Sequence, residues 1–143
     1  MLNKVKELEL KLENYRNKYN NFKIEGEKLL ENSCGKEEMI IEYIKNVYYK
    51  KLIELREEKE LLKKECDDFI TEIEIEFCKN NFNIKIEKDE WIEFVLSDEQ
   101  YSIFSNSEEG KIISSLTEKI NSIPNYIRYS EEINTFLDRV LYF

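Results

Sequence analysis

Residues 5–22 read VKELELKLENYRNKYNNF, and the interpretation of the whole chain starts from this stretch. Its apolar residues recur at alternating spacings of three and four, which is the a/d pattern of a coiled coil. Lys, Glu, Asn and Arg fill nearly all the other positions, so the helix has one narrow apolar stripe. A helix of this kind must bury its stripe against another helix, and we expect a second copy of the chain to provide it.

The predicted dimer seam continues beyond this stretch and changes phase at residues 32–35 (NSCG), a turn-like cluster. Two interpretations are open. The helix is either a nearly continuous rod with a local skip in its supercoil, or an antiparallel hairpin of two helices. Gly26 takes an a position and weakens the helix by about 1 kcal/mol relative to Ala. The predicted seam residues are Val5, Leu8, Leu12, Tyr15, Tyr19, Phe22, Ile41, Ile44, Tyr48, Leu55, Leu62 and Phe69.

The pattern changes after Asp67 and Asp68. Residues 69–77 alternate apolar and polar side chains, which favours a half-buried strand, although a helix continuing through Ile73 and Phe77 also fits. Trp91 is interpreted as a core residue at the start of a strand. Asn80-Asn81 is interpreted as a turn, and further short strands are predicted over residues 82–86, 91–96 and 101–104.

Two helices are predicted after these strands. The first begins near Ser107, where Glu108 and Glu109 favour a helix start, and it ends before Pro124. The second begins at Ser130 and extends to the chain end. We expect both helices to cover the apolar face of the strands.

The predicted fold class is therefore α+β. We assign residues 1–69 to an N-terminal coiled coil with a possible break at 32–35. Residues 70–143 form a small globular head, in which an antiparallel sheet of three or four strands is covered by the C-terminal helices.

Composition excludes several classes of function. The net charge of −9, from 31 acidic and 22 basic residues, disfavours direct binding to nucleic acid. No apolar run approaches the ~18 residues that a membrane span needs. The chain has no His, and its three Cys have no metal-ligand spacing, so we expect neither a cofactor nor a metal and predict that the protein is not an enzyme.

Partner-binding candidates lie mainly in the irregular link after Pro124. Tyr126, Ile127 and Tyr129 are placed there, where regular packing is less able to bury them, and Phe104 is a fourth candidate. The alternative interpretation is that the first three residues simply pack the last helix. The acidic residues Glu72, Glu74 and Glu76 are interpreted as the solvated face of an edge strand.

The C-terminal segment resembles a known family. Residues 123–127 (IPNYI), then 131–133 (EEI) and 136–141 (FLDRVL), are similar to the ending of the coiled-coil subunit of fungal monopolin, a chromosome-segregation family. That ending reads aliphatic-Pro-Asp-Tyr-Leu, then Glu-Glu-Ile, then Phe-Tyr-x-x-Val-Leu. Asn125 and Leu137 depart from this pattern, because the family favours Asp and Tyr there. The likeness covers roughly the last 75 residues.

The resemblance implies a specific fold and role. It implies a parallel homodimer with an RWD-like head, and it favours the rod over the hairpin. It also implies a nuclear protein of the kinetochore or nucleolus that acts in meiosis and the cell cycle. Its head would crosslink kinetochore or rDNA-associated proteins, and the N-terminal end of its coil would hold a partner subunit.

Two alternative functions stay open. The chain is also compatible with an RWD-headed subunit of the outer-kinetochore microtubule-binding complex. A third possibility, from a different class, is a small acidic inhibitor of viral or mobile-element origin that occupies the nucleic-acid channel of an enzyme.

Overall fold

The computed structural model describes residues 1–31 and 33–141, so Asn32 of the predicted break and the last two residues of the predicted head lie outside the described residues. Over these ranges the chain is all-α and contains no β-strand, so the predicted α+β class with an RWD-like sheet is wrong. The elements are α1 (Leu2–Glu31), α2 (Glu37–Tyr43), a π-helical turn (Ile44–Tyr48), α3 (Tyr49–Phe82), α4 (Ile92–Val95), α5 (Asp98–Asn106), α6 (Glu108–Asn121) and α7 (Glu131–Leu141).

Helix α3 continues through residues 69–77, which were predicted as a strand. Phe69, Ile73 and Phe77 are spaced by four, and that spacing equals two strand periods and nearly one helical turn. All three are buried, which fits either period. Extending an existing helix by one residue adds a hydrogen bond without a new nucleation step, so the established helix continues.

The turn predicted at Asn80-Asn81 lies inside α3, and the helix ends one residue later, at Phe82. Asn83 has a φ of 54°, a left-handed conformation that Asn tolerates better than most residues. The N–H of Ile84 donates to the carbonyl oxygen of Cys78 at 3.1 Å. The helix therefore ends before Asn83, and the chain continues as irregular backbone.

The remaining predicted strands are also absent from the described residues. Residues 92–95 form the short helix α4, and residues 101–104 lie within α5. Ser97 and Gln100 form a capping box at the start of α5, because each side chain bonds the backbone N–H of the other residue. This Ser-x-x-Gln spacing was the sequence signal for a helix, and the strand interpretation overlooked it.

The two C-terminal helices are found where they were predicted. The Ser107 hydroxyl oxygen accepts the N–H of Gly110 at 3.0 Å at the start of α6. The Ser130 hydroxyl oxygen accepts the N–H of Ile133 at 3.3 Å at the start of α7. Serine caps thus set both helix starts.

The chain divides into two compact units. Unit 1 comprises Met1–Leu10 and Leu62–Ile123, and unit 2 comprises Lys11–Leu61 and the chain from Pro124 onward. The boundary predicted after residue 69 falls inside α3. Because α1 and α3 each contribute residues to both units, neither unit is a continuous stretch of sequence.

The core of unit 1 lies between α3 and the short helices that follow it. Its buried members are Phe77, Cys78, Ile86, Ile92, Leu96 and Phe104. The ring of Phe77 meets that of Phe104 edge-on at 5.0 Å between centroids. At the other end of unit 1, Lys4 and Glu65 form an ion pair at 2.9 Å, and Lys119 pairs with Glu9 at 3.1 Å.

In unit 2 the two long helices run antiparallel. The Tyr15 hydroxyl donates to the carbonyl oxygen of Leu55 at 2.9 Å, and Lys51 bonds Glu25 at 2.9 Å. As residue numbers rise along α1, those of its partners fall along α3. Unit 2 therefore follows the hairpin alternative and not the rod favoured by the resemblance.

Candidate protein-binding surface

Unit 1 exposes two large aromatic side chains next to one another. Trp91 is 66% exposed and Phe94 is 82% exposed. Their rings stack at 5.9 Å between centroids, with 29° between the ring planes. We call these two residues the aromatic pair. Its exposure contradicts the interpretation of Trp91 as a core residue.

The geometry of α4 explains why the aromatic pair points outward. Ile92 and Leu96 are buried in the core of unit 1, and the N–H of Leu96 donates to the carbonyl oxygen of Ile92 at 3.0 Å. Trp91 and Phe94 occupy the opposite side of this single helical turn. The turn therefore carries apolar residues on its exposed side as well as on its buried side, with Glu93 also exposed.

The exposed area of the aromatic pair is large for one surface feature. An aromatic side chain offers roughly 150–250 Å², so the two exposed fractions together amount to about 300 Å². The largest apolar patch on a typical monomer is of the same size and often marks an interaction site. The aromatic pair is thus the leading candidate for a contact with another molecule.

Nearly all the net charge of the chain belongs to unit 1. This unit holds 17 acidic and nine basic residues, a net charge of −8, whereas unit 2 holds 14 acidic and 13 basic residues. Residues 85–100, which surround the aromatic pair in sequence, contain six acidic and two basic side chains. The aromatic pair therefore projects from a strongly acidic environment.

Unit 1 also contains a groove along α3. Its larger part has a volume of about 710 Å³ and is bordered by Met1 and Lys4 of the N-terminus, by α3 from Glu65 to Asn81, and by Glu109. A smaller adjoining part of about 570 Å³ shares Phe77, Asn81 and Glu109 with it. That part extends to Ile103 and Asn106 at the end of α5.

Two titratable groups of α3, the half-buried Glu74 and the buried Cys78, have raised pKa values. Burial, with a smaller contribution from the charge of Glu93, raises the pKa of Glu74 to about 6. Burial and the neighbouring Glu74 also raise the pKa of the Cys78 thiol to about 11. Cys78 is therefore protonated at neutral pH and is a poor nucleophile.

In unit 2, the groups with shifted pKa values form hydrogen bonds that connect its paired helices. Burial alone would raise the pKa of Glu25, but hydrogen bonds from Tyr43 and Lys51 hold it below its usual value. Burial raises the pKa of Tyr48, whose hydroxyl donates to the carbonyl oxygen of Phe22. Within residues 1–31 and 33–141, no group of three or more His, Cys, Asp or Glu side chains is placed to hold a metal ion.

The structure does not bring the four predicted partner-binding residues together on one surface. Tyr126 is 82% exposed, but Ile127 is buried and Tyr129 is half-buried against the ring of Tyr48. Phe104 lies in the core of unit 1, whereas the other three belong to unit 2. Only Tyr126 has the exposure that a docking residue needs.

The predicted dimer seam is buried within the single chain. Eleven of its twelve residues are buried, and Tyr19 is half-buried. The apolar stripe of α1 thus finds its partner helix in the same chain, which removes the physical reason for expecting a second copy. The homodimer itself stays a prediction.

Sequence reasoning missed the aromatic pair because alternation over residues 91–96 suggested a strand with Trp91 inward. The signal that could have found it is the unbroken run of Trp, Ile, Phe, Val and Leu flanked by acidic residues. Among the described helices, none has the length and apolar character to cross a membrane. Comparison of the chain with protein families, with curated proteins and with solved structures finds no match.

Proposed function

We propose that this protein is a non-enzymatic binding module whose unit 1 docks onto a basic surface of another protein. The observation that carries this proposal is the aromatic pair, Trp91 and Phe94, exposed on an acidic unit. Trp is among the residues that contribute most energy to protein interfaces, and stacked rings present a rigid surface with few rotamers to order.

The charge of unit 1 selects the kind of partner. A net charge of −8 attracts a surface rich in Lys and Arg and increases the rate of encounter with it. Lys and Arg side chains also bind favourably over the face of a Trp ring. Contact between two copies of unit 1 would place like charges together, and duplex nucleic acid would be repelled for the same reason.

The role in chromosome segregation stays a prediction, as do the nuclear location and the kinetochore or nucleolar partners. Those expectations followed from a family whose head is an RWD-like sheet. The described part of this chain has no sheet, so the binding proposal does not use them.

A second candidate is an acidic inhibitor that occupies the basic nucleic-acid channel of an enzyme. The 17 acidic residues of unit 1 favour it. It is a special case of a basic partner, and it predicts that the protein competes with duplex DNA for a DNA-binding enzyme. Competition that persists after Phe94→Ser would show that charge alone suffices and that the aromatic pair is not needed.

The binding proposal is tested by panning a random-peptide display library on the full-length protein at 0.15 M salt. We expect the recovered peptides to carry a clear excess of Lys and Arg over the starting library. Recovery on the Phe94→Ser variant should fall at least tenfold. Phe94 is 82% exposed and lies outside the core of unit 1, so this substitution leaves the fold intact.

The matched control is Tyr126→Ser. Tyr126 is also 82% exposed but belongs to unit 2, so the same loss of exposed aromatic surface should leave peptide recovery unchanged. Recovered peptides without a positive bias would overturn the proposal. Equal recovery on the wild-type protein and on Phe94→Ser would do the same.

A further inference from the structure

We infer that the groove along α3 in unit 1 receives a basic amphipathic helix of the partner protein. This inference rests on the proposed function for the charge of the partner, but it concerns a different surface. It assigns a binding site, and a shape of ligand, to the groove defined above.

The floor and the rim of the groove have different chemistry. Phe69, Ile73 and Phe77 lie at the floor with a spacing of about one helical turn, and each exposes no more than 9% of its surface because it also packs into the core. Carboxylates from Glu65, Asp68, Glu72, Glu76 and Glu109 border this floor. The groove therefore matches an apolar stripe flanked by positive charges.

Most of the rim carboxylates are available for a ligand. Asp68, Glu72 and Glu76 are exposed, and none of them has an ion pair among the residues that the structure describes. Lys4, the one basic residue on the groove wall, already pairs with Glu65 at 2.9 Å. A basic ligand would supply the positive charges that the exposed rim carboxylates attract.

The walls of the groove favour a helical ligand over an extended one. An extended peptide has free backbone N–H and C=O groups that need partners, as a strand finds at a sheet edge. The groove is bordered mainly by helices, whose backbone groups are already bonded to each other. A helix satisfies its own backbone and needs only side-chain contacts from the groove.

The length of the groove sets the length of the ligand. Its lining residues on α3 extend from Glu65 to Asn81, which spans about 24 Å at 1.5 Å per residue. A helix of about 16 residues fills that length. Apolar residues at positions i, i+4, i+7 and i+11 of such a helix would contact only the narrow exposed edges of Phe69, Ile73 and Phe77, so the rim carboxylates would provide most of the contacts.

The charged rim of the groove and the aromatic pair lie on different elements, because Glu72 and Glu76 belong to α3, whereas the aromatic pair belongs to the α4 segment and does not line the groove. Cys78, one helical turn after Glu74, belongs to the same buried cluster as Ile92 and Leu96, so the Glu74 side of α3 faces α4. Glu72 and Glu76 are each two residues from Glu74, about 200° around the helix axis. The two surfaces can therefore be altered separately.

The probe is an 18-residue Leu/Lys peptide with its Leu residues on one helical face. A scrambled peptide of the same composition serves as its control. Binding to the full-length protein is measured by calorimetry at 0.15 M salt. We expect one peptide per chain and an affinity at least tenfold higher for the amphipathic peptide than for the scrambled one.

Charge reversal locates the site. Glu72→Lys combined with Glu76→Lys should weaken binding of the amphipathic peptide at least tenfold. Glu87→Lys combined with Glu118→Lys changes the net charge of unit 1 equally at exposed positions outside the groove, and it should alter affinity less than threefold. If circular dichroism shows that the first pair is unfolded, Glu72→Gln with Glu76→Gln replaces it, with an expected loss of at least threefold.

Two results would overturn the inference. Equal affinity for the two peptides would show that the groove does not recognise a helix. Equal loss in the groove and control variants would show general attraction between charges and no site at the groove. The proposed function would still stand if basic library peptides bind in a way that depends on Phe94, so the two failures are distinguishable.

Discussion

The rings of Phe22 and Tyr48 lie parallel in unit 2, with 4.2 Å between centroids and 3° between planes. The Tyr48 hydroxyl also donates to the carbonyl oxygen of Phe22 at 2.6 Å. On its other face, the Tyr48 ring stacks against Tyr129 at 5.5 Å. This stack joins α1, the π-helical turn and the link before α7, so it fixes the hairpin of unit 2.

Gly26 lies where the Tyr48 hydroxyl enters the hairpin. A Cβ atom at residue 26 would overlap that hydroxyl oxygen and would lie 2.8 Å from Cδ1 of Ile133. The Tyr48 ring is held on both faces and has little room to move. We therefore expect Gly26→Ala to destabilise the protein by about 1–3 kcal/mol, although the same change in an open helix stabilises by about 1 kcal/mol.

Urea unfolding of the single and double variants checks this prediction. Tyr48→Phe removes the hydroxyl that the new methyl group would meet. Gly26→Ala should therefore lower the free energy of unfolding less in the Tyr48→Phe background than in the wild type. An identical cost in both backgrounds would contradict the assigned contact.

Gly110 permits the close packing of α5 against α6 in unit 1. A Cβ atom there would overlap the backbone oxygen of Phe104 and would lie 2.9 Å from backbone atoms of Ser105. Backbone atoms cannot rotate aside, so Gly110→Ala should destabilise the protein by about 3 kcal/mol. Thermal unfolding measures the effect.

Gly35 provides the comparison for Gly110→Ala. Its φ of +80° is left-handed, but the space around it is open, so Gly35→Ala has only the backbone cost of about 1–2 kcal/mol. A larger loss of stability from Gly35→Ala than from Gly110→Ala would contradict the packing described for α5 and α6.

Glu74 should make stability fall as pH rises from about 4.5 to 6.5. Its pKa in the folded state, about 6, is higher than its ordinary value of 4.5. The folded state therefore binds the proton more tightly than the unfolded chain. This favourable difference is complete below pH 4.5 and is lost as pH rises through 6.

Glu74→Gln isolates this contribution. Because Glu74 is only half-buried, we expect the variant to be more stable than the wild type by about 1 kcal/mol at pH 7. The difference in unfolding free energy between the variant and the wild type should vanish at pH 4.5. Urea unfolding at both pH values measures it. A constant gap across this range would show that the Glu74 charge is not the cause.

Trp91, the single tryptophan, reports directly on the acidic surface around the aromatic pair. It is 66% exposed, so neutral acrylamide should quench its fluorescence strongly. When each quenching constant is divided by that for free N-acetyltryptophanamide at the same ionic strength, the ratio should be higher for caesium than for iodide, because the net charge of unit 1 attracts cations and repels anions.

High salt supplies the control for the quenching experiment. Raising the background salt to about 1 M shortens the screening length to about 3 Å, so the difference between caesium and iodide should shrink. A higher normalised quenching constant for iodide than for caesium at low salt would contradict a negative potential at Trp91.

Helices were predicted correctly where several local signals agreed. The prediction was wrong where one spacing of apolar residues fitted both a helix and a strand. The stripe from Val5 to Phe22 was correctly interpreted as helical, and the serine caps at Ser107 and Ser130 marked real helix starts. A strand was wrongly predicted at Phe69, Ile73 and Phe77 because a spacing of four residues fits one face of a strand and one face of a helix equally well. At Ser97, the capping box was present in the sequence but was outweighed by apparent alternation.

The candidate surface was only partly visible in the sequence. The excess of acidic residues was clear, but its concentration in unit 1 depends on how Met1–Leu10 groups with Leu62–Ile123. Trp91 was expected inside, and Tyr126 was the only predicted binding residue found strongly exposed. Exposure depends on which distant residues cover a side chain, and one sequence does not list those partners.

By itself, the sequence determined the helical periodicity of the first half, the caps of the last two helices and the negative charge. These properties arise from residues within a few positions of each other. Only the tertiary structure decided that α1 pairs with its own chain in unit 2, and that Ile92 and Leu96 face inward while Trp91 and Phe94 face outward. Those outcomes depend on contacts between residues far apart in the chain, where burial free energy selects among arrangements that local patterns leave equally possible.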